Sequence, residues 1–399
     1  MTELFDIAII GGGCAGSTAA TLLAKKGFNV LIVEQDKLPR YHIGESMVPG
    51  LIPVLEELGL TEAMTDHNFT VKNGATFVWG AERKPWTVRF EEDGPIDHAF
   101  QVVRSEFDYM LLNHARSSGV RVLEEARVVD VLFENDRCCG LKYILGNSGS
   151  EVTVRARFII DASGQNAVLS RKSGWLEWDE DLKNVAIWAY YQGGNTFEGK
   201  DAGNILIENT PNGWIWVIPL HEGTQSVGLV MPTVNVTGGG RQNLEQIYLD
   251  TLANSGETRR LLAPAQRTSN FHTARDWSYK SQHFHGSGFL LVGDAAGFVD
   301  PLFSSGVFLA MNGARIATIT VEGLLREPEK EVELLNRYEK AYTDFFDKVV
   351  NIVHYFYEAS EDKESYWVKA QELIDPFQKL IARQDFVRLI SGMAGLLPF

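Results

Sequence analysis

Gly11, Gly13 and Gly16 stand as G-x-G-x-x-G, and an acid, Glu34, follows 18 residues after the last of them. Glycines at that spacing suit a diphosphate. The first permits a tight turn, the second lets a pyrophosphate approach the backbone, and the third lets a helix pack closely on a strand. The N–H groups and positive dipole end of the following helix then face the anion. Glu34 is placed to accept hydrogen bonds from a ribose, and its charge disfavours a 2′-phosphate there. A glycine turn serving only packing is the plainer reading, but the position between strand and helix, ahead of an acid, favours a dinucleotide. This segment does not choose between NAD and FAD. Gly293-Asp294-Ala295-Ala296 does, because an Asp after a late strand can accept hydrogen bonds from a ribityl chain, which an NAD domain does not need.

These groups need a frame. An apolar strand over residues 4–10, helical patterning over 17–26, a stop at Gly27 and a second strand over 29–34 predict a parallel βαβ unit. Further strand signals lie at 157–161 and 288–292. Residues 185–232, rich in Trp, Tyr, Ile and Val with turn signals such as Asn212-Gly213, predict a largely antiparallel sheet. Tyr342, Phe345, Phe346, Val349, Val353, Phe356 and Tyr357 fall on one helix face, first of all as packing core. The expected layout is a discontinuous nucleotide-binding domain (1–75, 100–175, 270–320), a β-sheet substrate domain (76–99, 176–269) and a helical C-terminal region (321–399). The pocket is expected between that sheet and the aromatic helix, and the apolar stretch 386–399 is expected to cover a pocket, a dimer face or a partner.

Composition narrows the class. Of 399 residues, 45% are hydrophobic, enough for a substantial core, and 37 basic against 52 acidic residues give a net charge of −15. That sign, with Lys and Arg scattered, argues against a nucleic-acid partner. Three cysteines without CxxC or zinc-type spacing suggest no metal site and a reducing, cytoplasmic setting. The first residues carry acids where a secretion signal needs bases, and no apolar run is long enough for a membrane span.

Taken together, GGGCAG (11–16) and GDAAG (293–297) resemble FAD proteins of the glutathione-reductase-type fold, which include aromatic hydroxylases, geranylgeranyl reductases and flavin-dependent halogenases. The resemblance implies FAD contacts from Gly11, Gly13, Cys14, Ala15, Gly16, Glu34 and Asp294. It also implies one from Arg104, in QVVRSEFDYML, which by itself would read equally as a surface or helix-capping arginine. Arg40 to Ser46 (RYHIGES) resembles the segment that passes beside the flavin, with Arg40 and Ser46 as contacts.

Three features resemble the halogenases in particular. GWIWVIP (213–219) is similar to their W-x-W-x-I-P signature, which implies a wall of Trp214, Trp216 and Pro219. That wall keeps substrate off the flavin, so that activated oxygen is not spent on hydroxylation; the plainer reading is an ordinary strand with both indoles on one face. Lys72, 26 residues after Ser46, resembles the lysine that hydrogen-bonds hypohalous acid or carries the halogen as a haloamine; most lysines are merely solvated. DPLFSSGV (300–307) resembles the halide-holding turn, with Ser305 and Gly306 at the halide and Gly306 and Val307 at the cofactor, compatible with a plain N-cap by Ser304 or Ser305.

The resemblance is to the phenol- and pyrrole-acting branch. The tryptophan-acting branch reads Ser-Thr-Gly and places a glutamate where this chain has Phe303, which argues against free tryptophan. The implied activity uses FADH2, O2 and chloride or bromide to make hypohalous acid. Lys72 delivers the halogen to a small aromatic substrate, free or tethered to an acyl or peptidyl carrier protein. With one dinucleotide fingerprint in the chain, a separate flavin reductase is expected. The rivals are an FAD-dependent aromatic hydroxylase, a geranylgeranyl-reductase-like enzyme and a non-catalytic flavin-binding protein.

Overall fold

Strand Leu4–Ile10 lies at the centre of a mostly parallel sheet because its residues, Asp6 apart, are apolar and, from Ile7 on, covered on both faces. Glu151–Asp161 pairs on one side of it and Val30–Val33 on the other, with Phe289–Leu291 and Arg121–Leu123 beyond, all parallel. The computed structural model describes residues 4–146, 149–211, 213–236, 240–358, 360–375 and 382–396. Helix Cys14–Lys25 follows the first strand and packs against helices Arg104–Ser117 and Gly306–Arg326. It begins three residues earlier than the periodicity predicts, since the glycine motif itself forms its first turn. An antiparallel hairpin, Ala126–Glu134 with Arg137–Leu145, joins the edge of Glu151–Asp161.

The second sheet runs Gly297–Phe298, His272–Ser281, Leu176–Gln192, Thr224–Pro232, Gly213–Pro219, Ile205–Thr210, Gly74–Val78, Pro85–Arg89. All pairs are antiparallel except Ile205–Thr210 with Gly74–Val78. Its two faces alternate as the pleat demands. Trp188, Ile207, Trp214 and Trp216 join the main core, whereas Ile187, Ile215, Val217 and Leu229 pack beneath helix Gly240–Asn254.

The expected boundaries need correction. His272–Ser281 and Gly297–Phe298, placed by sequence with the nucleotide-binding part, are strands of this second sheet. Gly74–Val78 crosses the expected break at 75, and helix Gly306–Arg326 crosses the one at 321. Long-range pairing, not local composition, decides sheet membership. Asn212 of the expected turn and residues 397–399 of the apolar stretch lie outside the described residues. In helix Glu331–Tyr357 the expected aromatic face is buried up to Phe356, with Tyr357 half-buried at its end. Among the described residues no helix is long and apolar enough to cross a membrane.

Candidate active site

The glycine turn is a cradle that side chains would fill. Gly11 sits at φ +98°, and a Cβ there would lie 2.5 Å from the Ala162 carbonyl oxygen; at Gly16 it would lie 2.0 Å from the Gly11 oxygen. Gly13 instead faces open space, with only the Arg40 guanidinium 3.6 Å from where its Cβ would be. The backbone N–H groups of Cys14 and Ala15 follow at the start of a 12-residue helix that has no side-chain cap. Glu34 is buried, and its carboxylate accepts hydrogen bonds from the N–H groups of Gly12 (2.6 Å) and Asp36 (2.8 Å). That clamp ties the acid to the turn it serves.

Behind the turn lies a charged cluster whose central member was given no role from the sequence. Asp108 is fully buried and accepts two hydrogen bonds from Arg104, at 2.8 and 3.0 Å, one helical turn away. Arg40 donates to Asp108 Oδ2 at 3.3 Å, and the Cys14 thiol donates to Oδ1 at 3.2 Å. Burial alone would raise the Asp108 pKa, but Arg104 and then His42 and Arg40 outweigh it and hold the carboxyl below its ordinary value. Burial pushes the Cys14 thiol well up, so it stays protonated; its side chain faces the cluster. Arg104 also donates to the carbonyls of Ile43 (3.0 Å) and Gly44 (3.2 Å), fixing the 40–46 segment against the helix. Asp294 follows Phe289–Leu291 in a short 3₁₀ turn, where burial lifts its carboxyl to about 6 against the pull of Arg104.

Lys72 ends strand Thr70–Lys72, which pairs with Ala99–Gln101. Its ammonium is 2% exposed and donates to Ser46 Oγ (2.9 Å) and the Met47 carbonyl (2.8 Å); no carboxylate pairs with it among the described residues. Burial therefore drops its pKa to about 7. Lys72 borders a cavity of about 10 Å3, roughly the room of one water. The other walls are Ala75, Phe77, Phe90, Ile205, Ile207, Phe303, Ser304 and Ile390. The sheet supplies part of this lining as expected, but the long aromatic helix does not: Ile390 of helix Ala382–Ile390 takes that side.

The 300–307 segment joins this chamber to the indoles. Ser304 is left-handed (φ +59°), and helix Gly306–Arg326 begins directly after Ser305. Ser305 occupies the N-cap position but its hydroxyl makes no capping bond; it is buried without a partner, and the Cα of Gly306 faces open space. The side-chain cap in this stretch is Asp300, which accepts from the Leu302 N–H. Asp300 also accepts from Tyr357 (2.6 Å) and Asn184 (3.0 Å), and Trp214 Nε1 donates to the Tyr357 hydroxyl at 2.8 Å. Trp216 Nε1 donates to Ser226 Oγ (3.2 Å), and Pro219 closes the same strand. Both indoles lie in the main core, 6.0 Å apart, and neither lines the chamber.

The cradle, the clamped Glu34, the Asp294 carboxyl and the open backbone at Gly306 are the donors and acceptors that a flavin dinucleotide needs, so these residues fit FAD. The bare Ser305 hydroxyl at the N-terminus of a 21-residue helix offers an anion its donors.

Comparison with known proteins bears on the family and the fold. A family model described as tryptophan halogenase matches residues 6–96 and 92–389. The chain is 37% identical over 401 residues to a tryptophan 2-halogenase of Chondromyces crocatus, spanning 98% of this chain and 76% of the relative. It is 35% identical to the flavin-dependent halogenase armH3 of Armillaria mellea, spanning 90% of this chain and 77% of that protein. Among solved structures it superimposes on the myxobacterial chondrochloren halogenase CndH with a TM-score of 0.86 at 33% identity, covering 100% and 98% of the two chains. For the flavin-dependent brominase Bmp2 the values are 0.85 and 26%, covering 98% and 94%.

Proposed function

This chain belongs to the flavin-dependent halogenases, and on that premise we propose that it halogenates a neutral, electron-rich ring, a phenol or a pyrrole, through Lys72. Reduced FAD, when bound, would give two electrons to O2 and so activate it as the oxidant that converts chloride or bromide to hypohalous acid. The protein's part is placement. The glycine turn, Glu34, Arg40, Arg104 and Asp294 orient the cofactor, Ser305 and Gly306 hold the halide, and Trp214 with Trp216 keeps the substrate away. Lys72 receives the hypohalous acid. With a pKa near 7 it offers both forms at neutral pH: an ammonium that donates to the oxidant, and an amine that captures the halogen.

The observation that carries this reading is a buried lysine with no carboxylate partner among the described residues, bordering a small apolar cavity it shares with the turn that leads to Ser305. Phe303, where the tryptophan-acting branch places a glutamate, supports a neutral ring over free tryptophan, although the Chondromyces relative is named a tryptophan 2-halogenase. One dinucleotide fingerprint supports dependence on a separate flavin reductase.

The test is incubation with FAD, a flavin reductase, NADH and bromide or chloride. Phenols, pyrroles and tryptophan are offered, with phenols and pyrroles both free and carrier-bound. Mass spectrometry should show the bromine isotope pair on a phenol or pyrrole, and Lys72→Ala should abolish it. Hydroxylated product without halogenated product would overturn the reading.

A further inference from the structure

An aromatic ring cannot enter the chamber as it stands. Its volume of about 10 Å3 is the room of one water, whereas a cavity that takes benzene measures about 150 Å3. A wall must yield before Lys72 meets a phenol or a pyrrole.

Phe386 is the side chain in the way. It is fully buried in helix Ala382–Ile390, one helical turn before the Ile390 that lines the chamber, so the two side chains share a face. Its ring centroid lies 6.2 Å from that of Phe77 and 6.1 Å from that of Phe303, and both of those residues are chamber walls. Trp86, at 6.0 Å, and Phe356, stacked at 6.1 Å, complete a cage of four aromatic side chains around one benzyl group. Edge-to-face and stacked contacts of this kind suit any six-membered aromatic ring.

The other walls are held more firmly. Phe77 lies in a strand paired on both sides, and Phe303 lies in the turn that Asp300 caps. Helix Ala382–Ile390 has nine residues, and its first turn is fastened at the rim. There the half-buried Arg383 donates to the Glu92 carboxylate and to the Thr87 carbonyl, both at 2.9 Å. Glu92 belongs to the short turn Phe90–Glu92, whose Phe90 is another chamber wall. A half-buried ion pair thus latches the outer side of the chamber.

We propose that Phe386 holds the seat of the substrate ring, gives it up when a phenol binds, and so sets the size of ring accepted. This rests on the halogenase reading above. A benzyl group has the outline of a phenol, which favours a phenol over the five-membered pyrrole. Release of Arg383 from Glu92 lets the first turn of the helix swing out, and the phenol takes its place among the same four side chains, next to the space that Lys72 borders. Binding then carries the cost of moving Phe386, and the apparent affinity is lowered by the fraction of molecules whose seat is free.

Titration of the full-length protein with 4-fluorophenol, without turnover, tests the seat. Phe386→Ala should bind it about 10-fold more tightly than wild type. The fluorine NMR signal of the bound ring should move when Lys72→Met is added, because the seat adjoins the chamber. Equal affinity in the variant and wild type, or a bound signal that Lys72→Met leaves in place, makes Phe386 ordinary core and overturns the proposal. In wild type, saturating 4-fluorophenol should speed hydrogen exchange of the backbone amides of 382–390 by roughly 5-fold. Unchanged or slower exchange overturns the displacement, and this measurement decides if Phe386→Ala does not fold. In the halogenation assay, Phe386→Ala should lower the phenol KM and accept a naphthol that wild type rejects, with FAD affinity unchanged; a purely structural role would lower stability and leave the KM as it was. Wild type that halogenates pyrrole and not phenol would overturn the choice of ring. If wild type makes no halogenated product, the enzymatic reading fails, and the fluorophenol titration still decides for or against the seat.

Discussion

Replacing Lys72 with methionine, which keeps the apolar stem and removes the charge, should change how stability depends on pH. An unfolded lysine holds its proton up to about pH 10.4, whereas the buried one holds it only to about 7. Between those values unfolding takes up a proton, so the stability of the wild type rises with pH; the penalty is full below pH 7 and gone above the unfolded value. The two pKa values put the penalty at about 4 kcal/mol at pH 7 and about 2 kcal/mol at pH 9. Lys72→Met carries no such term. Urea unfolding of both proteins at a series of pH values measures it: the difference should move by about 2 kcal/mol in favour of the wild type between pH 7 and 9. Parallel curves would mean that Lys72 is solvated or paired, and would refute the argument that burial tunes its amine. The same titration bears on mechanism. If the halogen is carried as a haloamine, which needs the neutral amine, halogenation should fall as pH drops below 7; delivery from the ammonium should not.

Four further outcomes follow from the geometry. Asp108→Ala leaves the buried Arg104 guanidinium without its partner, and should cost about 3–5 kcal/mol in urea unfolding and weaken FAD binding. Gly16→Ala forces a Cβ to 2.0 Å from the Gly11 oxygen, so FAD titration followed by flavin fluorescence should show no saturable binding. Ser305→Ala removes the unpartnered hydroxyl at the helix start; the halide KM should rise about 5-fold with little change in flavin affinity. Tyr357→Phe removes the donor to Asp300 and the acceptor of Trp214, and should lower stability by about 1–3 kcal/mol.

The parts of this site that could be read from the sequence are those whose constraints are local. The glycine turn is one, because the clashes that require Gly11 and Gly16 arise within a single strand–turn–helix unit. Lys72 and the 300–307 turn were legible through resemblance. Asp108 had only a weak signal, an acid four residues after Arg104 on one helix. Asp300 lies inside the 300–307 motif, but its partners were not legible, since Asn184 and Tyr357 come from a strand and a helix far along the chain. The chamber shows the same limit: a helix face can be read as apolar, but not which of two apolar helices, Glu331–Tyr357 or Ala382–Ile390, will reach Lys72.

The indole wall makes the point in one register. Spacing of two predicts that Trp214 and Trp216 share a face, but not what they face. Gly228 stands opposite both Trp188 and Trp216 in the neighbouring strands, and a Cβ there would lie 2.1 Å from the Trp216 ring. The missing side chain lets that ring lie across the strand and come within 6.2 Å of Trp188, whose N–H donates to the Tyr41 hydroxyl in the 40–46 segment. A glycine inside a strand that no motif includes thus joins the proposed indole wall to the segment expected beside the flavin. Its importance appears only once the register is known, because the register, set by pairing along the whole sheet, brings the two tryptophans together.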